Sequence, residues 1–285
     1  MEFSAVIVNY DSREPLAGCL DALEAAAAGH SHETLVVDNS PGDGTAQWLR
    51  ERHPSVRILA NRDNLGFARA VNQGLEATTT PFALVLNPDC ELERDALDAL
   101  LAHHAANPRC GIAAPRIHNP DGTLEYSARS YPGPLTVLFN RYSLLTRLFP
   151  RNPWSRGYLL TDWDHASVRD VDWVSGACML VRREAIAQVG PFDEGFFMFN
   201  EDVDWCRRMN LAGWRVTYVS SARAVHHVGA SRHRVSNKVI WERHRGMLRY
   251  FRKHHRPNPI SSGLVALFVM SRASLMVALN GMKPR

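Results

Sequence analysis

Four polar clusters in the sequence have residue types that could do chemistry. Three of them, Asn9-Tyr10-Asp11, Asp38-Asn39-Ser40 and Asn87-Pro88-Asp89, each follow a short apolar run. The fourth, Glu201-Asp202, follows Phe196-Phe197-Met198-Phe199, an apolar wall that could raise the pKa of a carboxyl group and suit it to proton transfer. Each cluster also has a plainer interpretation: turn-forming residues for the first three, and an acidic helix N-terminus for the fourth.

Strand and helix patterns alternate through the first part of the chain. Apolar runs predict strands at 3–8, 34–37, 56–59 and 82–86, with helices between them up to 28, at 45–53 and at 67–77. This alternation predicts an α/β fold with a parallel, doubly wound sheet and helices on both faces. Because ligands bind beyond the carboxyl ends of such strands, the three strand-end clusters should converge on one crevice. Later patterns predict strands at 172–181 and 216–219 and a helix at 203–211.

The composition is that of an ordinary globular protein. The chain has 285 residues, 33 Lys and Arg against 29 Asp and Glu, and 45% hydrophobic residues, which excludes wholesale disorder and a disulfide-rich miniprotein. Five cysteines are scattered singly, so we predict reduced core thiols and no zinc site. No G-x-G-x-x-G motif supports dinucleotide oxidoreduction. No secretory signal pattern is visible, and we expect a cytoplasmic protein.

Positive charge is concentrated near the C-terminus. Between Arg232 and Pro257, nine Lys and Arg residues stand against Glu242 alone. Such a stretch predicts contact with an anionic surface, either nucleic acid or the cytoplasmic face of a membrane, although a solvated helix face or an oligomer contact explains it too. Residues 260–279 are apolar but interrupted by Ser271, Arg272 and Ser274, so we expect an amphipathic surface helix, not a membrane span. A second amphipathic basic stretch at 133–160 could contact a membrane or pack on the core.

The order of the motifs resembles family 2 inverting glycosyltransferases with the GT-A fold, most of all their bacterial rhamnosyltransferase branch. The segments that carry the resemblance are Val8-Asn9-Tyr10, 36–40, 61–74, Leu86-Asn87-Pro88-Asp89, 176–183, 192–197, 201–208 and His226-x-x-Gly229-x-Ser231. The resemblance implies a GT-A fold, with a mostly parallel sheet flanked by helices. It places a catalytic domain at 1–231, with a nucleotide-binding half to about 115 and an acceptor and catalytic half at 116–231. A basic and apolar helical extension would follow at 232–285.

The resemblance also implies how a nucleotide-sugar donor is held. A divalent metal, Mg²⁺ or Mn²⁺, would bridge the donor diphosphate, with Asp89 and His226 as its protein ligands. Asp38 would accept the imide N–H of uracil or thymine. The residues carried over as donor contacts are Val8, Asn9, Tyr10, Asp38, Asn64, Gly66, Arg69, Asn87 and Gly176. Asn87 stands where the family usually has Asp, a variant that this branch often carries. A turn-capping role for His226 and a solvated position for Arg69 are the alternatives.

The implied reaction is a single in-line displacement that inverts the sugar. Asp202 would take the proton of the acceptor hydroxyl, and Glu201 would orient this base or bind the acceptor. Asp204, two residues further along a helix, should point elsewhere, as a cap or a support for its neighbours. Trp173 and Trp205 could stack on a sugar, although core positions explain them equally well.

The predicted function is therefore transfer of a sugar, first of all L-rhamnose from dTDP-rhamnose, to a lipid-linked or cell-surface glycan precursor. The expected partners are a dTDP- or UDP-sugar donor, an acceptor carried on a polyprenyl diphosphate, and the anionic inner face of the cell membrane. A homodimer is left open. UDP-galactose or UDP-glucose transfer would use the same motifs, and a non-catalytic nucleotide-sugar-binding protein is a further alternative. Nucleic-acid binding leaves the acidic strand ends unexplained, because carboxylates repel phosphates unless a metal intervenes.

Overall fold

The computed structural model of the chain describes residues 1–133, 148–149, 152–227 and 236–281. The strands in these residues are β1 (Phe3–Asn9), β2 (His32–Asp38), β3 (Arg57–Ala60), β4 (Phe82–Leu86), β5 (Cys90–Leu92), β6 (Cys110–His118), β7 (Ala128–Arg129), β8 (Arg169–Asp170), β9 (Trp173–Val174), β10 (Cys178–Arg182) and β11 (Arg215–His226). The helices are α1 (Arg13–Ala26), α2 (Thr45–Arg52), α3 (Phe67–Glu76), α4 (Ala96–Ala106), α5 (Pro153–Leu159), α6 (Arg183–Val189), α7 (Glu201–Leu211), α8 (Asn237–His255) and α9 (Pro259–Gly281). Gly229, Ser231, Arg232, Arg234 and most of the basic stretch at 133–160 lie outside the described residues.

A mixed sheet of nine strands forms the centre of the described part of the chain. Its order is β3-β2-β1-β4-β10-β6-β11-β5, with β8 beside β11. The neighbours β3, β2, β1 and β4 are parallel, and so are β6 and β11, whereas β10, β5 and β8 run against their neighbours. The predicted mostly parallel sheet is confirmed. Strand β10 inserts between β4 and β6, so the two halves expected for the catalytic domain share one sheet.

The single strand expected at 172–181 is wrong, because the chain forms two strands there. β9 pairs with β7 in a separate two-stranded sheet, and β10 joins the main sheet. Between them, the Ser175 N–H donates to the Ser127 carbonyl and the Gly176 N–H donates to a side chain of α7. Since these backbone groups are bonded outside the main sheet, the strand is interrupted at this point.

The core lies on both faces of the main sheet. All seven residues of β1 are buried, as expected for a central strand covered by helices on each side. The five cysteines are buried and free, as predicted for core thiols. Trp173 and Trp205 are buried as well, which favours their interpretation as core residues.

The helices α8 and α9 end the described chain and pack against each other, with only Arg256, Pro257 and Asn258 between them. The helix expected at 260–279 is present as α9, and its buried residues are Val269 and Ala273. Helix α9 has 23 residues, and an 18-residue window within it has a mean hydropathy of 1.8 and is 11% buried, so by length and composition alone the helix could cross a membrane. Its exposed apolar side chains include Ile260, Leu264, Leu267, Phe268, Leu275 and Leu279.

Candidate active site

Three of the predicted polar clusters meet at one edge of the main sheet. Asn9 and Asp38 are register partners at the ends of the parallel strands β1 and β2. The chain beyond β4 stays at the same edge, because the Asn87 N–H donates to the Ala177 carbonyl at 2.8 Å, directly before β10. The expectation that the strand-end clusters converge is therefore confirmed for these residues.

The side chain of Asp38 is fixed at this edge by its neighbours. Its Oδ1 accepts hydrogen bonds from Asn9 Nδ2 at 3.0 Å and from the Ser40 N–H at 3.1 Å. Its Oδ2 accepts no hydrogen bond from the described residues, so this oxygen is available for an N–H of a ligand. Val8 packs in the core, and Tyr10 is exposed at the end of the strand.

The loop before α3 joins this edge of the sheet to the apolar wall of residues 196–199. Asn64 Oδ1 accepts the Gly66 N–H at 2.9 Å, and Asn39 Nδ2 donates to the Gly66 carbonyl at 3.1 Å. Gly66 has a φ of +87°, and an added Cβ would lie 2.5 Å from the Phe197 carbonyl oxygen. Asn64 and Gly66 thus shape the loop. Arg69 is exposed on α3, with its Nε 3.8 Å from a carboxylate oxygen of Glu194.

Glu201 and Asp202 begin α7 beside the start of β10. Asp202 Oδ2 accepts the Gly176 N–H at 3.1 Å, and its Oδ1 accepts the Val203 N–H at 2.8 Å. Burial raises the pKa of Asp202, whereas these two hydrogen bonds and the cation of Arg129 oppose the shift. Burial and the charge of Asp202 raise the pKa of Glu201 well above its ordinary value. Glu201 Oε2 is buried and has no hydrogen-bond partner in the described residues. The pair is therefore easier to protonate than two exposed carboxyl groups.

A left-handed turn leads into this acidic pair. Phe199 and Asn200 have φ values of 68° and 69°, a region that non-glycine residues rarely adopt. Helix α8 packs against the turn at Gly246, where an added Cβ would lie 2.7 Å from the Phe199 carbonyl oxygen. Cations of α8 lie over the apolar wall of residues 196–199, among them Lys238, 4.3 Å from the ring centroid of Phe197, Arg243, 4.5 Å from that of Phe199, and Arg249, 5.3 Å from that of Phe196.

Two carboxylates that precede α8 in the chain bind its side chains. Asp193 lies 2.7 Å from both Arg249 Nη2 and Lys253 Nζ, and the fully buried Asp204 lies 2.6 Å from His254 Nε2 and 2.8 Å from Lys253 Nζ. Burial alone would raise the pKa of Asp193, but the hydrogen bonds from Arg249 and Lys253 outweigh it and hold this pKa well below its ordinary value. Part of the basic stretch therefore binds carboxylates of the same chain. Asp204 supports this helix through Lys253 and His254.

Replacing Gly246 with Ala is expected to destabilise the protein by about 1–3 kcal/mol, because the added methyl group must displace the Phe199 carbonyl or the helix. We also expect a lower turnover number, since the displaced turn carries Glu201 and Asp202. Thermal unfolding and initial-rate measurements check both effects. Gly263→Ala is the matched control: this helical glycine has open space around the added Cβ, so the substitution should be neutral or stabilising. Equal behaviour of the two variants would contradict a close contact at Gly246.

Asp89 and His226 lie side by side beyond β4 and at the end of β11. His226 pairs with Cys90 in the sheet, which places its ring next to Asp89. His226 Nε2 is 3.2 Å from Asp89 Oδ1, and its Nδ1 is 2.9 Å from Glu125 Oε2. Burial alone would lower the pKa of His226, but the hydrogen bonds to Asp89 and Glu125 outweigh it and raise the pKa to about 10. The structure thus brings together the two residues predicted as metal ligands.

The donor set fits a divalent cation that is shared with a substrate. Within the described ranges, no group of three or more His, Cys, Asp or Glu side chains is placed to hold a metal ion. Mg²⁺ bound with nucleotides takes one or two carboxylates from the protein and its other ligands from phosphates and water. Carboxylate oxygen also suits Mn²⁺, and imidazole nitrogen is a common ligand of transition metals. Asp89 and His226 meet these requirements once a diphosphate supplies the remaining oxygens.

Sequence reasoning missed two residues of the site, Glu125 and Arg129. Glu125 contacts His226 across 101 positions of sequence, and Arg129 stacks on Trp173, with 5.0 Å from its guanidinium carbon to the ring centroid. Neither residue follows a predicted strand or stands in a motif that carried the resemblance. The only local signal was Asp121-Gly122, a turn dipeptide that allows the chain to fold back beside β6.

The mixed sheet and its flanking helices are those of the GT-A fold, and comparison with known sequences defines the family. The sequence profile described as Glycosyl transferase family 2 matches residues 4–190, and one described as Glycosyl transferase family group 2 matches residues 140–271. The first match covers more than half of the chain. The chain therefore belongs to glycosyl transferase family 2, as its motifs predicted.

Among curated proteins, the chain is similar to a rhamnosyltransferase. It is 39% identical over 204 residues to N-acetylglucosaminyl-diphospho-decaprenol L-rhamnosyltransferase of Mycobacterium tuberculosis. The match covers 68% of this chain, and the chain spans 66% of the length of that relative. Over a shorter region of 57 residues, which is 20% of this chain and 22% of the relative, it is 47% identical to the rhamnosyltransferase WbbL of Escherichia coli. The predicted resemblance to the rhamnosyltransferase branch is confirmed.

Among solved structures, the chain shares its fold with a mannosyltransferase, PcManGT of Pyrobaculum calidifontis, determined with GDP-Man and Mn²⁺. The TM-score is 0.61 at 17% sequence identity, over 100% of this chain and 76% of that one. This likeness supports the GT-A fold that the motifs implied.

Proposed function

We propose that this chain is an inverting glycosyltransferase that transfers L-rhamnose from dTDP-rhamnose to a hydroxyl group of a glycan precursor on a polyprenyl diphosphate. One observation supports the transfer reaction: four side chains lie around one edge of the main sheet, namely Asp38, the neighbours Asp89 and His226, and Asp202. The choice of sugar and acceptor rests on the 39% identity with the rhamnosyltransferase of M. tuberculosis.

The nucleotide binds at the ends of β1 and β2. Asp38 Oδ2 accepts the imide N–H of thymine, while Asn9 and Ser40 hold the other oxygen of the same carboxylate. The backbone at Val8 and Tyr10 lies at the same strand end, and Asn64 and Gly66 form the loop beside it. Arg69 donates a charge-assisted hydrogen bond to the diphosphate. Asn87 and Gly176 complete the donor contacts at β4 and β10.

The diphosphate leaves from the side of Asp89 and His226. Bound there, Mg²⁺ or Mn²⁺ would neutralise the charge that develops on the leaving diphosphate. The carboxylate of Asp89 and the imidazole of His226 supply the protein ligands. No second carboxylate follows β4, because Asn87 occupies the position where the family usually has Asp.

Asp202 acts as the base of a single in-line displacement. The acceptor hydroxyl attacks the sugar from the face opposite the diphosphate, and Asp202 takes its proton. The N–H groups of Gly176 and Val203 each bind one carboxylate oxygen of Asp202. These backbone hydrogen bonds hold the carboxylate in one orientation for accepting the proton. Burial raises the pKa of Asp202 and makes it a stronger base than an exposed aspartate. Glu201 is its buried neighbour and orients the base.

The enzyme works on the cytoplasmic side of the cell membrane, attached through its C-terminal helices. Helix α9 presents an exposed apolar surface of a length that matches a bilayer. Arg252 and Arg256 are exposed near its beginning, where cations favour anionic headgroups. This position brings the crevice to an acceptor whose lipid is embedded in the same bilayer.

A donor screen with the full chain tests the proposal. Thermal unfolding is followed with dTDP-rhamnose, UDP-glucose, UDP-galactose and GDP-mannose, each with and without Mn²⁺. A ligand at 100 times its Kd stabilises the folded state by about 2.7 kcal/mol, so a matching donor is easily distinguished. We expect the largest Mn²⁺-dependent shift with dTDP-rhamnose, and transfer of rhamnose to N-acetylglucosaminyl-diphospho-polyprenol in vesicles.

The outcomes separate the parts of the proposal. A larger shift and transfer with a UDP-hexose would overturn the assignment of the sugar but keep the reaction class. Binding of dTDP-rhamnose without transfer to any lipid-linked acceptor would overturn the assignment of the acceptor. Stabilisation by none of the nucleotide sugars would overturn the proposed function itself.

A further inference from the structure

Glu125 holds the imidazole of His226 on the side away from Asp89. The Glu125 Oε2 lies 2.9 Å from His226 Nδ1, while His226 Nε2 lies 3.2 Å from Asp89 Oδ1. Glu125 and His226 are each 8% exposed. A buried carboxylate beside one nitrogen of an imidazole, with a second carboxylate beside the other nitrogen, fixes both the position and the rotation of the ring.

A reversal of the chain after β6 delivers Glu125 to this position. The Asn119 N–H donates to the Thr123 carbonyl at 2.8 Å, and the Glu125 N–H donates back to the Ile117 carbonyl at 3.0 Å. Because β6 runs parallel to β11, with His118 opposite Val225, the returning segment lies beside the end of β11. Glu125 is thus held by backbone hydrogen bonds, independently of its contact with His226.

We propose that Glu125 is a positioning residue for the cation that binds with the donor diphosphate. Its carboxylate accepts the N–H at Nδ1 of His226, and Nε2, which faces Asp89, would release its proton to solvent and become the ligand atom when the cation binds. Metal-binding histidines usually donate their other N–H to such a carboxylate, and loss of that partner typically weakens metal binding about 10–100-fold. The carboxylates of Asp89 and Glu125 together also balance the charge of a divalent cation. The inference rests on the proposed function, because the cation has its role there.

Mn²⁺ binding to the full chain tests the inference without measuring activity. The paramagnetic resonance signal of free Mn²⁺ is followed as protein is added in the presence of dTDP, and the affinity for dTDP is measured separately without metal. For Glu125→Gln, which keeps the shape and removes the charge, we expect about 10–100-fold weaker Mn²⁺ binding and an unchanged metal-free affinity for dTDP. Glu91→Gln is the matched control, because Glu91 pairs with the neighbouring His227 at 3.4 Å; its Mn²⁺ binding should equal that of the unchanged chain.

The other outcomes overturn the inference in distinguishable ways. An unchanged Mn²⁺ affinity in Glu125→Gln excludes a positioning role. Equal weakening of Mn²⁺ binding and of metal-free dTDP binding shows a purely structural role. Absence of Mn²⁺ binding in the unchanged chain overturns the metal-assisted mechanism, and this inference with it. Should Glu125→Gln fail to fold by circular dichroism, Glu125→Asp replaces it: the retracted carboxylate should weaken Mn²⁺ binding severalfold, and unchanged binding overturns the inference.

Discussion

Replacing Asp202 with Asn is expected to lower the turnover number by about 10²–10⁴-fold, because the reaction loses its general base. The substitution keeps the size of the side chain, and its amide oxygen can still accept the Gly176 N–H. The proposed nucleotide site, at Asp38 and Asp89, is untouched. We therefore expect donor affinity, measured by ligand-induced thermal stabilisation, to equal that of the unchanged protein while the rate of sugar transfer falls.

The pH dependence gives a second readout of the same substitution. Burial raises the pKa of Asp202 above its ordinary value of 3.8, and the base must be deprotonated to act. The rate should therefore rise with pH, and its acidic limb should lie above the range of an exposed aspartate. The limb should disappear in Asp202→Asn. Glu184→Gln, at an exposed position of α6, is the control and should keep the full rate. A full rate in Asp202→Asn would place the base elsewhere, with Glu201 as the next candidate.

Replacing Asp89 with Asn is expected to abolish the Mn²⁺-dependent part of donor binding and to slow transfer by about 10²–10³-fold, since a bound cation stabilises the transition state by several kcal/mol. Asp89 is the only carboxylate in its motif, so no neighbouring acid in Asn87-Pro88-Asp89 can replace it. Thermal stabilisation by dTDP-rhamnose with and without Mn²⁺, together with initial rates, measures both effects.

A second pair of carboxylate and imidazole provides the control for Asp89. Asp98 Oδ1 lies 2.7 Å from His30 Nε2 on the surface, remote from the crevice, and Asp98→Asn should leave Mn²⁺ dependence and rate unchanged. Retained Mn²⁺ dependence in Asp89→Asn would show that other residues hold the cation. The two catalytic substitutions also differ from each other, because Asp202→Asn keeps metal-dependent donor binding and Asp89→Asn loses it.

The parallel half of the fold and the strand-end residues were predictable because each depends on local pattern. Apolar runs alternating with helices determine a doubly wound sheet, and the ends of its parallel strands must share an edge. Asn9 and Asp38 needed no other information. The interruption at Gly176 was not predictable, because it depends on a hydrogen bond to Asp202, 26 positions away.

The contacts that the sequence could not reveal are pairings between distant charges. Asp193 and Asp204 lie 49–60 positions before the cations of α8 that bind them, so the basic stretch could be interpreted only as excess charge. Glu125 was missed for the same reason, since its partner His226 comes from another strand end.

The short connection between α8 and α9 sets the reach of the enzyme. Helix α8 packs closely against the turn before Glu201, at Gly246, and only three residues separate α8 from α9. With α9 at the bilayer, as proposed, this short connection limits how far the crevice can move from the membrane toward distant parts of a glycan. The crevice would then stay at a constant distance from the bilayer surface. On the proposed lipid-linked acceptor, the reacting hydroxyl would have to lie close to the lipid, so we expect transfer at the first steps of glycan assembly and not to chains that have already grown.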